Sequence, residues 1–421
     1  MKYLIIHLIL LPGLLFGQDV PQSNYPKTGL EDIIKYSLET NSGLAPLEYE
    51  SKIMSARIDR TNFQPSPSFQ FMLDFLPVDL SNAGEYIGIY SQPLRLFGKL
   101  DAEENLAKVN SQRPEIEKTA LENELIRSVK ENYFMLSVNE RLLSFNNEFK
   151  EIMKAVTSTL EIKYSSGKGS QFDILKSNNE FQKLLLEEIE LAGNKKIFIN
   201  NLRTLSNLDL PYDFSTKNIE ILLNIPTIDM DTSKLISEMK LNNTDFKFID
   251  QMLLVNQTEQ NIIDLERKPD INLMTGYKYK SDKKASFLMF SVMVELPFMP
   301  WNEKRIDAEI QEKIYRDKKI NSESKSIELN LKNELKNNIV KINSSLEKIK
   351  YLNEVLIPQT EQTFRSSLLS YETDSNQFID LLDTYRSLRE NSKMLAEEET
   401  NYLILISSLE KLIGKQILTI N

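Results

Sequence analysis

The feature that most constrains this chain is a junction it makes twice. From Tyr86 it reads YIGIYSQPLRLFGKL, and from Phe290 it reads FSVMVELPFMPWNEKR. In each, an alternating apolar run meets a proline, then a large aromatic, then a charged helical start. Pro93 corresponds to Pro297, and Phe97 to Trp301. The alternation has the strand period of two. Proline removes a ladder donor and fixes φ where the chain leaves the sheet.

The surroundings of the junction repeat as well. Thr28-Gly29-Leu30-Glu31 reads as a capping box opening a helix that runs to about Asn62, ahead of Pro65 and Pro67. Phe69, Phe71, Leu73 and Phe75 then alternate with Gln70, Met72 and Asp74, and Glu85 to Leu94 forms the returning strand. From Lys99 to about Leu205 the pattern is helical, broken once at YSSGKGSQ, residues 164–171. Beyond that turn Phe181, Leu184, Glu188, Leu191, Lys195, Phe198, Leu202 and Leu205 step by three and four, a heptad seam. After a proline-containing connector the plan restarts. A helix from about Ser233 to Lys268 precedes the strands INLMTGYKY and FLMFSVMVEL, joined by the turn SDKKA. A long helix follows Pro297 and breaks near YETDSNQ, residues 371–377. The last helix has the clearest seam, from Phe378, Leu381 and Tyr385 to Leu409 and Ile413, interrupted by Ser392 and Glu399. The chain is therefore an internal duplication with a period of roughly 205 residues. The expected divisions are a leader at 1–17, a first repeat at 18–206, a connector at 207–230 and a second repeat at 231–421.

Composition narrows the chemistry. Lys2, the apolar run from Tyr3 to Phe16, and Gly17 have the form of a cleaved secretory signal. The run is short for the ~20 apolar residues of a spanning helix. The single histidine, His7, lies in that leader, and there is no cysteine. The exported chain thus has no thiolate nucleophile, no histidine base, no disulfide and no ordinary zinc site. No enzyme activity, cofactor or metal centre is expected. Removing Lys2 takes the formal charge from -10 to -11, which disfavours nucleic acid as a partner. No later stretch approaches 18 consecutive apolar residues, so a membrane-spanning form must be a closed β-barrel. Strands of about ten residues suit that role. Four of them leave two open edges, which several chains could close together. Aromatics at the Pro junctions suit an interfacial girdle. Ser392 and Glu399 fit helices that line water, and the acidic run at 397–399 reads as a solvated face. A soluble coiled-coil protein with two small hairpins is the plainer alternative.

With these features together, the exported chain resembles the TolC family of outer-membrane efflux channels along its whole length. The resemblance is carried by SQPLRLFGK and ELPFMPWNEKR, and by the helical turns KYSSGKGSQFDILKSNNEF and LSYETDSNQFIDLLDTYRSL. Aligned without gaps, Tyr164 matches Tyr371 and Asp173 matches Asp380. The resemblance implies a mainly α fold with a membrane β-barrel portion. Three chains of four strands would form a 12-stranded barrel in the outer membrane, and their long helices a periplasmic α-barrel. It implies a periplasmic adaptor (a membrane fusion protein), an inner-membrane pump of the RND type, and outer-membrane lipid as partners. The expected function is a passive exit duct for small molecules or metal ions. The alternative is the outer duct of a type I protein secretion system. QPLRLFGK is similar to the cation-efflux branch.

The resemblance also places sites. The family's aspartate rings at the channel entrance correspond to IDLLD, hence Asp380 and Asp383. Three copies would set six carboxylates around one opening and favour cations. Asp173 and Tyr371 stand where a phenol–carboxylate link holds the closed state. Asn376 stands where an arginine serves a second link in the best-known member, so a weaker or different latch is expected here. Gly167, Gly169 and Asp374 mark the turns that would dock the adaptor. Met72, Met274, Met289 and Met293 fall on strands, where barrel packing is the expected role and a relay for copper or silver the alternative.

Overall fold

The computed structural model describes residues 29–75, 84–216, 231–373 and 377–417. The leader, the first hairpin turn, most of the connector, Asp374 and Asn376 lie outside the described residues.

Each half opens with two short helices where the sequence pattern suggests one. α1 (Leu30–Thr40) and α2 (Ala45–Asp59) part at Asn41. α6 (Thr232–Asn242) and α7 (Thr244–Leu265) part at Asn243. Both asparagines have extended backbones, and both direct their amides to the end of a long helix. Asn41 Nδ2 donates to the Leu205 carbonyl at 2.8 Å, and Asn243 Nδ2 to the Leu412 carbonyl at 2.9 Å. The last carbonyls of a helix have no partner within it, so these amides satisfy groups that would otherwise be orphaned. Asn243 Oδ1 also accepts the Asp245 N–H and caps α7. The first helix starts one residue later than the capping box suggests. Gly29 is the cap, and the Asp32 carboxylate accepts its N–H at 3.2 Å.

The strands are β1 (Ser68–Asp74), β2 (Glu85–Leu94), β3 (Ile271–Lys280) and β4 (Ala285–Val294). They form one antiparallel sheet in the order β1-β2-β3-β4. Ten residue pairs from Glu85↔Lys280 to Leu94↔Ile271 join the two halves of the chain. Within one chain, β1 and β4 are the edges. Pro93 lies inside β2 opposite Asn272, not beyond the strand end, and the ladder to β1 has stopped at Ser91. Alternation divides the sheet into two unlike faces. One carries Phe69, Phe71, Tyr90, Tyr277, Leu288 and Phe290, all at least 43% exposed. By the same register the other carries every charged strand residue, Asp74, Glu85, Lys278 and Lys280, with Gln70, Ser91, Asn272 and Ser291 beside Ile87, Ile89, Phe287 and four methionines.

The remaining helices are α3 (Lys99–Asn110), α4 (Arg113–Ser165) and α5 (Gln171–Ser206) in the first half. In the second half they are α8 (Pro300–Tyr351), a π-helical segment (Leu352–Leu356), α9 (Ile357–Glu372) and α10 (Phe378–Ile413). Periodicity alone gives no sign of the break at Ser111 or of the π segment. The first precedes Pro114, which sits in the opening turn of α4, where its missing N–H costs nothing. The second precedes Pro358, which cannot donate and whose ring crowds the carbonyl four residues back. α5 and α10 each contain 36 residues. Both end on a left-handed residue, Asn207 and Gly414. At Gly414 a Cβ would come within 2.8 Å of the Asn242 carbonyl, so glycine is required there.

The seam on α10 packs as its spacing implies. Every named seam residue from Phe378 to Ile413 is buried except Ser392, which is half-buried. Its upper part joins Leu202, Leu335 and Ile342 in one core, and its lower part joins Phe149, Leu160, Leu184 and Phe364 in a second. Burying a side chain such as Ile406 completely contributes ~1.5–3 kcal/mol.

Candidate channel entrance

The two helical turns that resemble a channel entrance lie next to the lower core. α4 ends with the Lys168 N–H bonded to the Lys163 carbonyl at 2.8 Å, and Gly167 takes φ 76°. This is the left-handed closure glycine allows. Gly169 serves a different need, because a Cβ there would sit 2.8 Å from the Tyr164 nitrogen. Ser170 then caps α5 by accepting the Phe172 N–H at 3.1 Å. On the other side, Gln377 holds the N-cap position of α10 with an extended backbone and makes no side-chain cap bond.

Asp380 and Asp383 occupy the exposed face of α10, opposite buried Phe378, Leu381, Leu382 and Tyr385. They are three residues apart and so share that face. Asp383 has Arg386 Nη1 at 3.7 Å. Among the described residues no cation is paired with Asp380. Asp173 and Tyr371 line one open cleft of 680 Å³, together with Lys163, Lys168, Lys176 and Phe378. Tyr371 is buried, and its ring packs edge-on against Phe378 at 6.2 Å. The Lys163 ammonium lies 4.0 Å from the Tyr371 ring centroid and also donates to the Tyr371 carbonyl. The cleft thus brings together the sequence-assigned pair and three lysines that sequence reasoning had not assigned to it.

Further from the turns, α10 is tied to α5 by charge. Arg386 bonds Glu180, and Arg389 bonds Glu187, with Lys393 3.5 Å from the same Glu187. Burial alone would raise Glu180, but hydrogen bonds from Arg386 and Lys183 outweigh it and hold the carboxyl below its ordinary range. These pairs had a sequence signal. Glu180 and Glu187 lie one heptad apart on α5, and Arg386 and Lys393 lie one heptad apart on α10.

One sequence reading is overturned. Glu399 is neither on a solvated face nor lining water. It is buried against α4, where Arg141 pairs with it and stacks 5.3 Å over Phe145. Burial pushes its carboxyl above the ordinary range despite that partner. Glu397 does remain exposed. Nearby, Lys130 of α4 and Glu410 of α10 meet at 2.6 Å, with side chains 3% and 5% exposed. The strand methionines, Met72, Met274, Met289 and Met293, all lie on the charged side of the sheet, away from the aromatic face.

A duplicated chain with two short-helix pairs, four two-faced strands and two long helical hairpins has the architecture of a TolC-type channel protomer. No helix among the described residues is long and apolar enough to cross a membrane. The sequence matches no family model and no curated protein. Solved structures do match. The outer-membrane channel OprN aligns with a TM-score of 0.76 at 14% identity, over 91% of this chain and 89% of that one. The transmembrane channel protein CusC gives 0.71 at 14% identity, over 93% and 96%. The MtrE outer-membrane channel of Neisseria gonorrhoeae, solved in its open state, gives 0.72 at 16% identity, over 92% and 89%. The fold is that of the TolC family of outer-membrane channels. The likeness to CusC is no stronger than to the others and does not single out a cation-efflux branch.

Proposed function

We propose that three copies of this chain form an outer-membrane channel, the passive exit duct of a tripartite efflux system. The observation that carries this reading is the sheet. It is aromatic and exposed on one face, carries all of its charged side chains (Asp74, Glu85, Lys278 and Lys280) on the other, and is open at both edges among the described residues. An edge left open in lipid leaves several backbone groups unpaired, each costing several kcal/mol by order of magnitude. Pairing β4 of one copy with β1 of the next removes both edges, turns the aromatic face to lipid and encloses the charged face as a lumen. The long helices then extend the lumen into the periplasm and end at the turns that follow Ser165 and Glu372. These turns meet a periplasmic adaptor, which links the duct to an inner-membrane pump of the RND type.

In this arrangement Asp380 and Asp383 face the entrance, and three copies place six carboxylates around it. Asp173 and Tyr371 contribute to the closed state across their shared cleft. The test is purification from outer membranes followed by planar-bilayer recording. A heat-modifiable trimer that conducts, and whose preference for cations falls in Asp380→Asn/Asp383→Asn, supports the reading. A non-conducting monomer refutes the duct, and an unchanged reversal potential removes the carboxylates from the entrance.

A further inference from the structure

The two strand hairpins repeat, so each serves as a control for the other, and on the aromatic face they differ in side-chain bulk. Counting back from Pro93 and Pro297, Tyr86 corresponds to Phe290 and Gly88 to Val292. Glycine inside a strand weakens it and packs nothing, and it often marks the close approach of another group. The backbone does not demand it at Gly88, whose φ is outside the left-handed region. A Cβ there would meet the ring edge of Phe69 at 3.3 and 3.7 Å.

The missing side chain leaves a hollow of 490 Å³ in the aromatic face. Its floor is at Gly88, and its walls are Phe69, Phe71, Tyr86, Tyr90, Tyr277 and Leu288. Gly88 pairs with Phe71 on one side and Tyr277 on the other. Two of the wall tyrosines lean apart. Tyr277 shares a hydrogen bond of 2.6 Å with the Ser286 hydroxyl, one row nearer the β3–β4 turn. Tyr90 reaches toward Gln92, away from that turn. Both phenols are thus turned to neighbours, and carbon lines the space between them.

In the barrel proposed above this face meets lipid, and the strand ends at Leu94 and Ile271 point to the periplasm. The hairpin turns at the opposite end, joined by the Ser281 N–H to the Gly84 carbonyl at 2.9 Å, then face outward. Gly88 lies closer to them than to Leu94, so the hollow opens in the outer half of the membrane. The β3–β4 turn carries exposed Lys283 and Lys284. Water in an apolar hollow within a bilayer finds no partners, so a hydrocarbon chain is the fitting occupant. Hydrocarbon gains little by leaving bulk lipid for such a wall, so selection comes from packing and from the headgroup. Two ammonium groups at headgroup level favour phosphate.

We propose that this hollow seats one acyl chain of lipid A, the phosphorylated glycolipid of the outer leaflet, with Lys283 and Lys284 at its phosphates. Each copy holds one such lipid at a fixed place on the barrel wall. The inference rests on the channel reading above.

The test uses full-length trimers extracted from outer membranes and stripped of lipid in detergent. They are titrated with lipid A or with phosphatidylglycerol, and bound lipid is counted by native mass spectrometry. Lipid A should saturate at one per chain and bind more tightly than phosphatidylglycerol. Gly88→Val, which installs the second half's residue, should weaken lipid A by at least about tenfold, the scale of a methyl misfit in an apolar pocket. Lys283→Gln/Lys284→Gln, on an exposed turn, should weaken it about fivefold per lysine and serves where Gly88→Val does not assemble. Unchanged affinity in either variant overturns the seat, as does phosphatidylglycerol binding the unmodified protein as tightly as lipid A. Conductance is read on the same trimers, and both variants should conduct as the unmodified protein does. Conducting trimers without a lipid A preference overturn this proposal alone. If no form is a conducting trimer, the unmodified chain included, the channel reading falls and the seat with it.

Discussion

The pair formed by Lys130 and Glu410 offers a sharp test of how the two halves are held together. Lys130→Met keeps most of the side-chain stem and removes the ammonium. Glu410 would then lose the charge that sits 2.6 Å away at a position 5% exposed to water. Removing one partner of a buried pair costs ~3–5 kcal/mol, because the other charge stays buried. Glu410 also accepts the Ile417 N–H at 2.8 Å. Replacing both, as Lys130→Met/Glu410→Leu, removes both charges but forfeits that bond, worth ~0.5–1.5 kcal/mol. The double variant should therefore recover ~2–4 kcal/mol relative to the single one. Urea titration of the helical circular dichroism in detergent reads both values. The reasoning is refuted if Lys130→Met lies within ~1 kcal/mol of the unmodified protein, or if the double variant is no better than the single.

Gly169→Ala places a methyl 2.8 Å from the Tyr164 nitrogen and should destabilise the first helical turn by ~1–3 kcal/mol, read as faster hydrogen exchange across 163–172. Glu180 is held below its ordinary value of 4.5, so its tie to Arg386 contributes stability above that value and loses it as pH falls through the folded one. Glu180→Gln should lower the melting temperature at pH 7 and flatten the decline below pH 4.5; a parallel acid limb in both proteins would exclude this role. Phe290→Lys, at an 80% exposed position of the aromatic face, should cost ~2–4 kcal/mol in a bilayer, whereas Ser291→Lys on the charged face should be tolerated. Equal yields of trimer in outer membranes from the two variants would contradict the assignment of faces.

Much of this architecture is legible in the chain, for identifiable reasons. Strands of alternating pattern, bounded by Pro and short polar turns, leave one register, and β2 spans Glu85–Leu94 as the pattern indicates. The α10 seam is legible because each of its steps faces a core. The breaks are less visible. At Asn41 and Asn243 the helical pattern continues, and the chain turns because each amide finds a carbonyl more than 160 residues away. Nothing local records that bond, although the matching segments LETNSGL and LNNTDF do hint at a shared purpose. Glu399 was misread for a related reason. Three consecutive glutamates look solvated until Arg141, 258 residues away, is placed beside the third. At the entrance, residue types located Asp380, Asp383 and Tyr371, but the Lys163–Tyr371 contact depends on how two distant turns meet.

The equal lengths of α5 and α10 have a consequence for how such a chain can change. Each has 36 residues, about 54 Å at ~1.5 Å per residue. Each is pinned at its far end by an asparagine from its own half. The reach of the structure is therefore written twice, as two counts that must agree. Lengthening one hairpin by a heptad would leave its turn about 10 Å beyond the other. A longer or shorter lineage member must have altered four helical strokes together, two out and two back. Matched insertions are the trace such a history would leave.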